Sequence, residues 1–352
     1  MQHMTFGRRC GLRVSAYALG TVNFGTRWGG GTPPDEARRI LDRFAEAGGT
    51  FIDTADGYQD GEAETLLGDF LGPRRDHFAL ATKYSYGAGT AGSIQTTGNA
   101  RTNLVRSLDG SLRRLRTDRI DLYWVHFPDT VTPVDEIVMT LDDLVRAGKI
   151  GYAGLSNFPA WRVARAVTLG ELHGRTPVVG IQTEYSLIER TADRELLPMA
   201  EALGLGVAQW GPLGGGLLTG KYRQAAEGRL TDWNGGMMRH EDSAHRTAVL
   251  DEVIAVAKEV GTSPAQAAVA WLNSRARAAD TARITVIGPR TVAQLEGYLE
   301  ALDRTLDDAH LKRLDEVSAT SLGSPHDIIG STRDALLGGD ASRVRTPGGQ
   351  VQ

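Results

Sequence analysis

Cysteine is nearly absent from this chain: Cys10 is the one thiol in 352 residues. A disulfide framework is therefore impossible, and so is a cysteine-rich zinc module. Lysine is scarce as well. Lys83, Lys149, Lys221, Lys258 and Lys312 are all there are, against a large majority of arginine. A lysine kept amid that preference is a candidate for chemistry that needs an ammonium. Neither sign of charge is in excess, with 39 Lys+Arg, 43 Asp+Glu and a formal net charge of -4. That balance argues against nucleic-acid and membrane-surface partners, which call for a basic excess. No window nears the ~18 uninterrupted apolar residues of a membrane span. Residues 1–12 hold Arg8 and Arg9 but no apolar run of signal-peptide length, so the expected location is cytoplasmic. Metal-ligand spacing is missing too. The eight histidines are scattered, His240 and His245 do not fit HExxH, and no metal is expected.

What is there is an ordinary globular composition, 41% hydrophobic. Short apolar runs at 16–19, 50–53, 78–82, 121–125, 151–154, 178–182, 206–210 and 284–287 read as buried parallel strands. Helical patterns lie between and after them, at 35–47, 62–71, 99–115, 134–147, 159–172, 193–202, 264–274 and 291–301. Thr32-Pro33-Pro34 and Thr132-Pro133 read as helix starts with Thr as N-cap, and Ser263-Pro264 repeats the design. Eight strands alternating with eight helices predict an α/β fold, a (β/α)8 TIM barrel. A small N-terminal β-hairpin is expected at about 5–15, and two extra helices near 245–260 and 307–317. The barrel then forms one domain over 1–318, with a loop-like C-terminal tail over 319–352. A doubly wound sheet fits less well, because Gly20-Thr21-Val22-Asn23-Phe24-Gly25 after the first strand is not GxGxxG.

A barrel places its active site at the C-terminal strand ends. There the sequence offers Asp53 and Tyr58 after the second strand, Lys83 at the end of the third and His126 at the end of the fourth. Each alone has a plain structural reading, His126 as a satisfied core histidine among them. Four together fit proton transfer to a carbonyl during its reduction. Tyr58 would be the general acid, and Lys83 would lower its pKa. Asp53 would hold Lys83, and neutral His126 would orient the carbonyl oxygen.

The run Gly48-Gly49-Thr50-Phe51-Ile52-Asp53-Thr54-Ala55-Asp56-Gly57-Tyr58 resembles the signature of the aldo-keto reductase superfamily. Ala81-Thr82-Lys83, Asp121-Leu122-Tyr123-Trp124-Val125-His126, Gly154-Leu155-Ser156-Asn157-Phe158, Ile181-Gln182, Trp210-Gly211-Pro212-Leu213 and Ile287-Gly288-Pro289-Arg290 continue it in order over about residues 5–318. The likeness is closer to the bacterial, potassium-channel β-subunit-like branch than to the short mammalian reductases. It implies that Asp53, Tyr58, Lys83 and His126 form the catalytic tetrad. The channel subunits often carry Asn at the histidine position, so His126 favours a working enzyme.

The resemblance also implies NADPH or NADH bound without a Rossmann fold. Gly20, Thr21 and Asp53 would line the nicotinamide-ribose end, Ser156, Asn157 and Gln182 would hold the carboxamide, and Trp210 would stack on the ring. The stretch Gly214-Gly215-Gly216-Leu217-Leu218-Thr219-Gly220-Lys221-Tyr222 reads as a backbone nest for the pyrophosphate, with Lys221 supplying charge, and Gly211, Pro212 and Leu213 just before it join the expected cofactor site. Gly215 to Lys221 is one residue short of a Walker A loop, since Tyr222 replaces its Ser/Thr. Gly288, Arg290 and Gln294 lie at a helix start. Thr291 with Gln294 reads as a capping box, and Arg290 suits a 2′-phosphate, which favours NADPH over NADH. Tyr298 stands where the family usually has Asn.

Trp28, Tyr58, Tyr84, Tyr86, His126 and Phe127, with Trp124 a further candidate, are the expected walls of a small-molecule carbonyl pocket, and the loop 87–98 and the tail are expected near its mouth. Two other readings stay open on the sequence: an NADPH-binding redox-sensing regulatory subunit with little turnover, and a barrel hydrolase. The oligomeric state, and with it self-association, also stays open.

Overall fold

Eight parallel strands close on themselves in the structure, a computed structural model that describes residues 1–88, 93–224 and 239–344. Parts of the loop expected at the pocket mouth (89–92), of the long connection after 210 (225–238) and of the tail (345–352) lie outside the described residues.

The hairpin comes first, with β1 (His3–Thr5) antiparallel to β2 (Arg13–Ser15). The barrel strands follow: β3 (Tyr17–Gly20), β4 (Phe51–Asp53), β5 (Ala79–Tyr84), β6 (Ile120–Val125), β7 (Ile150–Ser156), β8 (Val178–Glu184), β9 (Gly206–Trp210) and β10 (Arg283–Ile287). β10 pairs with both β9 and β3, which closes the barrel. The helices are α1 (Pro34–Glu46), α2 (Glu62–Leu71), α3 (Arg101–Leu115), α4 (Val134–Arg146), α5 (Ala160–Leu172), α6 (Leu196–Leu203), α7 (Ala244–Glu259), α8 (Pro264–Arg277), α9 (Val292–Leu302), α10 (Asp308–Ser318) and α11 (His326–Leu336). None of the described helices is long and apolar enough to cross a membrane.

The period-2 alternation of strand side chains sorts the core into two. Phe51, Ala81, Leu122 and Trp124 point into the barrel, while Ile52, Tyr84, Tyr123 and Val125 pack outward among the helices. Phe6, from the hairpin, fills the barrel's N-terminal end with its ring edge-on to Phe51 and Trp124. Gly180 makes that possible, since a Cβ there would lie 2.3 Å from the Phe6 ring. With one end plugged, the open end is the C-terminal one.

Several expectations need correction. Thr32 and Thr132 are not N-caps. Pro33 and Pro133 take those positions without a side-chain cap. Thr32 instead donates to the Arg290 carbonyl, and Thr132 to Asp129. Ser263 does cap α8, in a full capping box with Gln266. Thr291 caps α9, but Gln294 turns back to accept from the Arg290 N–H, so that box is half-formed. The tail is not all loop: α11 forms within it, with no buried residue.

Candidate active site

The four proposed catalytic residues converge at the open end because of strand register. Asp53 closes β4 and Lys83 sits two residues beyond its neighbour Ala81 on β5, so both face inward. The turn after Asp53 is stitched to β5 by Thr54 N–H to the Ala81 carbonyl and Asp56 N–H to the Lys83 carbonyl, 2.9 Å each. That turn delivers Tyr58 above Lys83. The His126 N–H extends β6 against β5 by donating to the Tyr84 carbonyl.

The Lys83 ammonium donates to three oxygens: Asp53 Oδ2 at 2.6 Å, the Thr54 carbonyl at 2.7 Å and the Tyr58 hydroxyl at 3.1 Å. The Gln182 amide donates to Asp53 Oδ1 at 3.0 Å, so both carboxylate oxygens are held. The His126 ring meets the Tyr58 ring edge-on at 5.8 Å.

Burial sets the protonation states. Burial raises the Tyr58 pKa above its ordinary 10.0 despite the opposing pull of Lys83. Lys83 does pull the Tyr58 pKa down, as expected, but desolvation outweighs the ammonium. Burial alone would lower Lys83, but Asp53 and the Tyr58 oxygen carry it upward, so it stays an ammonium. Burial and Lys83 together hold His126 well below 6.5, hence neutral. Asp56, which the sequence did not single out, is pushed up to about 7 by burial and by nearby Glu64.

The site opens into a cavity of about 930 Å³. Trp28, Tyr58, Tyr86, His126 and Phe127 line one end of it. Gly20, Asp53, Asn157, Gln182, Trp210, Gly211, Pro212, Leu213, Gly215, Lys221, Gly288, Arg290 and Gln294 line the rest. Asn157, in a left-handed backbone conformation, donates to the His126 carbonyl and accepts from the Trp210 indole N–H at 3.1 Å. It thereby couples the aromatic wall to the proposed catalytic histidine. Gly214, Gly215 and Gly216 all take positive φ, the backbone of an N–H nest.

Several predicted residues are not on the cavity wall. Lys83 is fully buried, reaching only Asp53, Thr54 and Tyr58, and Trp124 fills the barrel interior. Tyr84 follows inward-facing Lys83, so alternation sends it outward, where it stacks on Tyr123, fully buried. It is not a pocket residue. Thr21 is buried and bonded to the Asp53 carbonyl. Ser156 sits behind Asn157, whose amide donates to it. Gly214 is buried below its two successors. Conversely, Ser263, Gln266 and Val269 of α8, with Gly297 and Tyr298 of α9, line the far end. The Ser263 cap marked a helix start, but nothing in the sequence said which way that end faced.

Fold and site together define a barrel enzyme whose open end holds a buried lysine–carboxylate pair beneath a tyrosine hydroxyl. The sequence pattern of the Aldo/keto reductase family matches residues 17–319. An uncharacterized oxidoreductase of Bacillus subtilis (strain 168), YrpG, is 37% identical over 322 residues, covering 89% of this chain and 95% of its own. Norsolorinic acid reductase of Aspergillus flavus is 33% identical over 94% of this chain and 84% of its own. An aryl-alcohol dehydrogenase [NADP(+)] of Phanerodontia chrysosporium is 33% identical over 95% and 90%. The chain belongs to the aldo/keto reductase family and is an oxidoreductase.

Proposed function

We propose that the protein reduces an aldehyde or ketone to an alcohol with NADPH, and that Tyr58 is the general acid. The observation that carries this reading is the Lys83 ammonium placed between the Asp53 carboxylate and the Tyr58 hydroxyl. The cavity suits a dinucleotide: a flat wall at Trp210, an N–H nest at Gly215 and Gly216, and the cations Lys221 and Arg290 toward the other end. A relative named for NADP(+) supports the same choice. Trp210 would face the nicotinamide, the nest and Lys221 the pyrophosphate, and Arg290 the 2′-phosphate. When bound, the nicotinamide supplies a hydride to the carbonyl carbon.

The chain's own residues manage the oxygen. His126, neutral, donates to the carbonyl oxygen and fixes its direction. Tyr58, kept protonated by burial, gives its proton as negative charge builds there. Lys83 steadies the resulting phenolate, and Asp53 steadies Lys83. The test is a panel of carbonyls followed by loss of NADPH absorbance, with Tyr58→Phe alongside. Turnover by the native protein that disappears in Tyr58→Phe, with cofactor binding intact, supports the reading; equal turnover in the variant overturns it.

A further inference from the structure

The backbone directly after Tyr58 is strained. Gln59 and Asp60 both lie in the left-handed region, at φ 51° and 54°. Two consecutive non-glycine residues rarely adopt it, so something nearby must hold them there. What they hold is Trp28. The buried Gln59 side chain accepts from the Trp28 backbone N–H at 2.9 Å and donates to the Val22 carbonyl at 3.1 Å. The Asp60 carboxylate accepts from the Trp28 indole N–H at 3.3 Å. A half-exposed tryptophan and an exposed carboxylate are thus fixed together on the cavity wall beside Tyr58.

The charges of the cavity divide accordingly. At the Tyr58 end the lining side chains are Trp28, Tyr58, Asp60, Tyr86, His126 and Phe127. His126 is neutral and the Asp53 charge is matched by Lys83, so Asp60 leaves a net negative charge there. No described cation forms an ion pair with Asp60. The lining cations Lys221 and Arg290 lie on the loops after β9 and β10, and the other lining carboxylate off the Asp53–Lys83 pair, Glu184, is matched by Arg239.

We infer that Asp60 makes this site selective by charge: it admits neutral carbonyls and turns away those bearing a carboxylate or phosphate. The inference rests on the proposed reductase reading, because it assigns the Tyr58 end to the substrate. An anion brought within ~7 Å of this carboxylate, on the wall of a cavity, is disfavoured on the order of tenfold. Asp60 stands two residues before α2, so its plain structural role would be to favour that helix start. Such a role would alter stability and leave substrate choice untouched.

The experiment compares 4-carbamoylbenzaldehyde with 4-carboxybenzaldehyde at pH 7.5, using the full chain and NADPH. The native enzyme is expected to favour the neutral aldehyde about tenfold in kcat/KM, mostly through KM. Asp60→Asn should cut that preference to about threefold or less, and so should 1 M salt, which shortens the Debye length to ~3 Å. Asp60→Gly removes the same charge with a residue at ease in left-handed backbone, which guards against a variant that fails to fold. A native preference near one, or an unchanged preference in both folded variants, overturns the inference. Binding of benzamide against benzoate, read by tryptophan quenching, asks the same question without turnover. If no carbonyl is reduced, the reductase reading falls, and the binding pair still decides for or against charge selection.

Discussion

Lys83 and Asp53 form an ion pair shielded from solvent on both sides, with side chains 0% and 3% exposed. Every other ion pair among the described residues has at least one partner in contact with water. Taking two charges out of water is costly, and the pair survives because each charge is saturated with hydrogen bonds.

Removing one partner should therefore be worse than removing both. Lys83→Met strands a buried carboxylate, and Asp53→Asn strands a buried ammonium. Each is expected to lower stability by about 3–5 kcal/mol. The double variant should lose clearly less than the two losses added. Urea unfolding of all four proteins closes the double-mutant cycle. Strictly additive losses would show that the two charges do not depend on each other.

On the proposed mechanism, Tyr58 governs the alkaline limb of the pH profile. Reduction by that route needs its protonated form, and burial lifts its pKa above 10.0. The kcat for reduction should stay flat through neutral pH and fall only beyond 10, while alcohol oxidation, which needs the phenolate, rises with pH. Tyr58→Phe should lower kcat by roughly 10²–10⁴-fold with the cofactor Kd within about twofold. A decline in reduction as pH rises between 6 and 7 would instead mean that a protonated His126 is required, against its depressed pKa.

How much of this was legible follows from the physics of each residue. The strands, and the meeting of Asp53 with Lys83, follow from short apolar runs and period-2 alternation, which are local properties. The same alternation could have removed Tyr84 from the pocket, because a neighbour of an inward lysine must face outward. Thr32 and Thr132 carry cap-like sequences, yet Arg290 and Asp129, distant or in another turn, take their hydroxyls. The strained Gln59–Asp60 pair left no mark, since no glycine announces its left-handed backbone. Helix α11 carries Gly330, Ser331 and Thr332 at its middle and buries none of its residues, so weak propensity made it read as loop. Asp56 lies inside the recognised signature, but its isolation in a buried spot near Glu64 of α2 and Arg114 of α3 is a tertiary outcome.

That isolation makes Asp56 a pH-dependent weakness. No hydrogen bond of normal geometry reaches either carboxylate oxygen. Its folded pKa of about 7 stands above the 3.8 of an exposed aspartate, so the protonated form is the one that suits the fold. Its contribution to stability is whole below pH 3.8 and is lost as pH rises through 7. Asp56→Asn, a neutral isostere, should match the native protein at pH 4 and exceed it by roughly 2–4 kcal/mol at pH 8. Urea titrations at pH 4, 6 and 8 measure the gap. A gap that does not grow with pH would mean that the ionised carboxylate finds a partner.

Cofactor choice should separate Arg290 from Lys221. NADPH and NADH differ only in the 2′-phosphate, so a residue that reads that group changes one cofactor and spares the other. Arg290 lines the cavity beside the N-terminus of α9, where helix and guanidinium both favour an anion. Arg290→Ala is expected to cut the NADPH preference about tenfold through KM, with NADH kinetics little changed. Lys221, next to the glycine nest, should act on the pyrophosphate that both cofactors share. Lys221→Ala should then weaken both by a similar factor and leave their ratio alone. Steady-state kinetics with each cofactor distinguishes the two patterns. Equal loss for both cofactors in Arg290→Ala would remove that residue from the 2′-phosphate, and better native efficiency with NADH would remove the phosphate from the argument altogether.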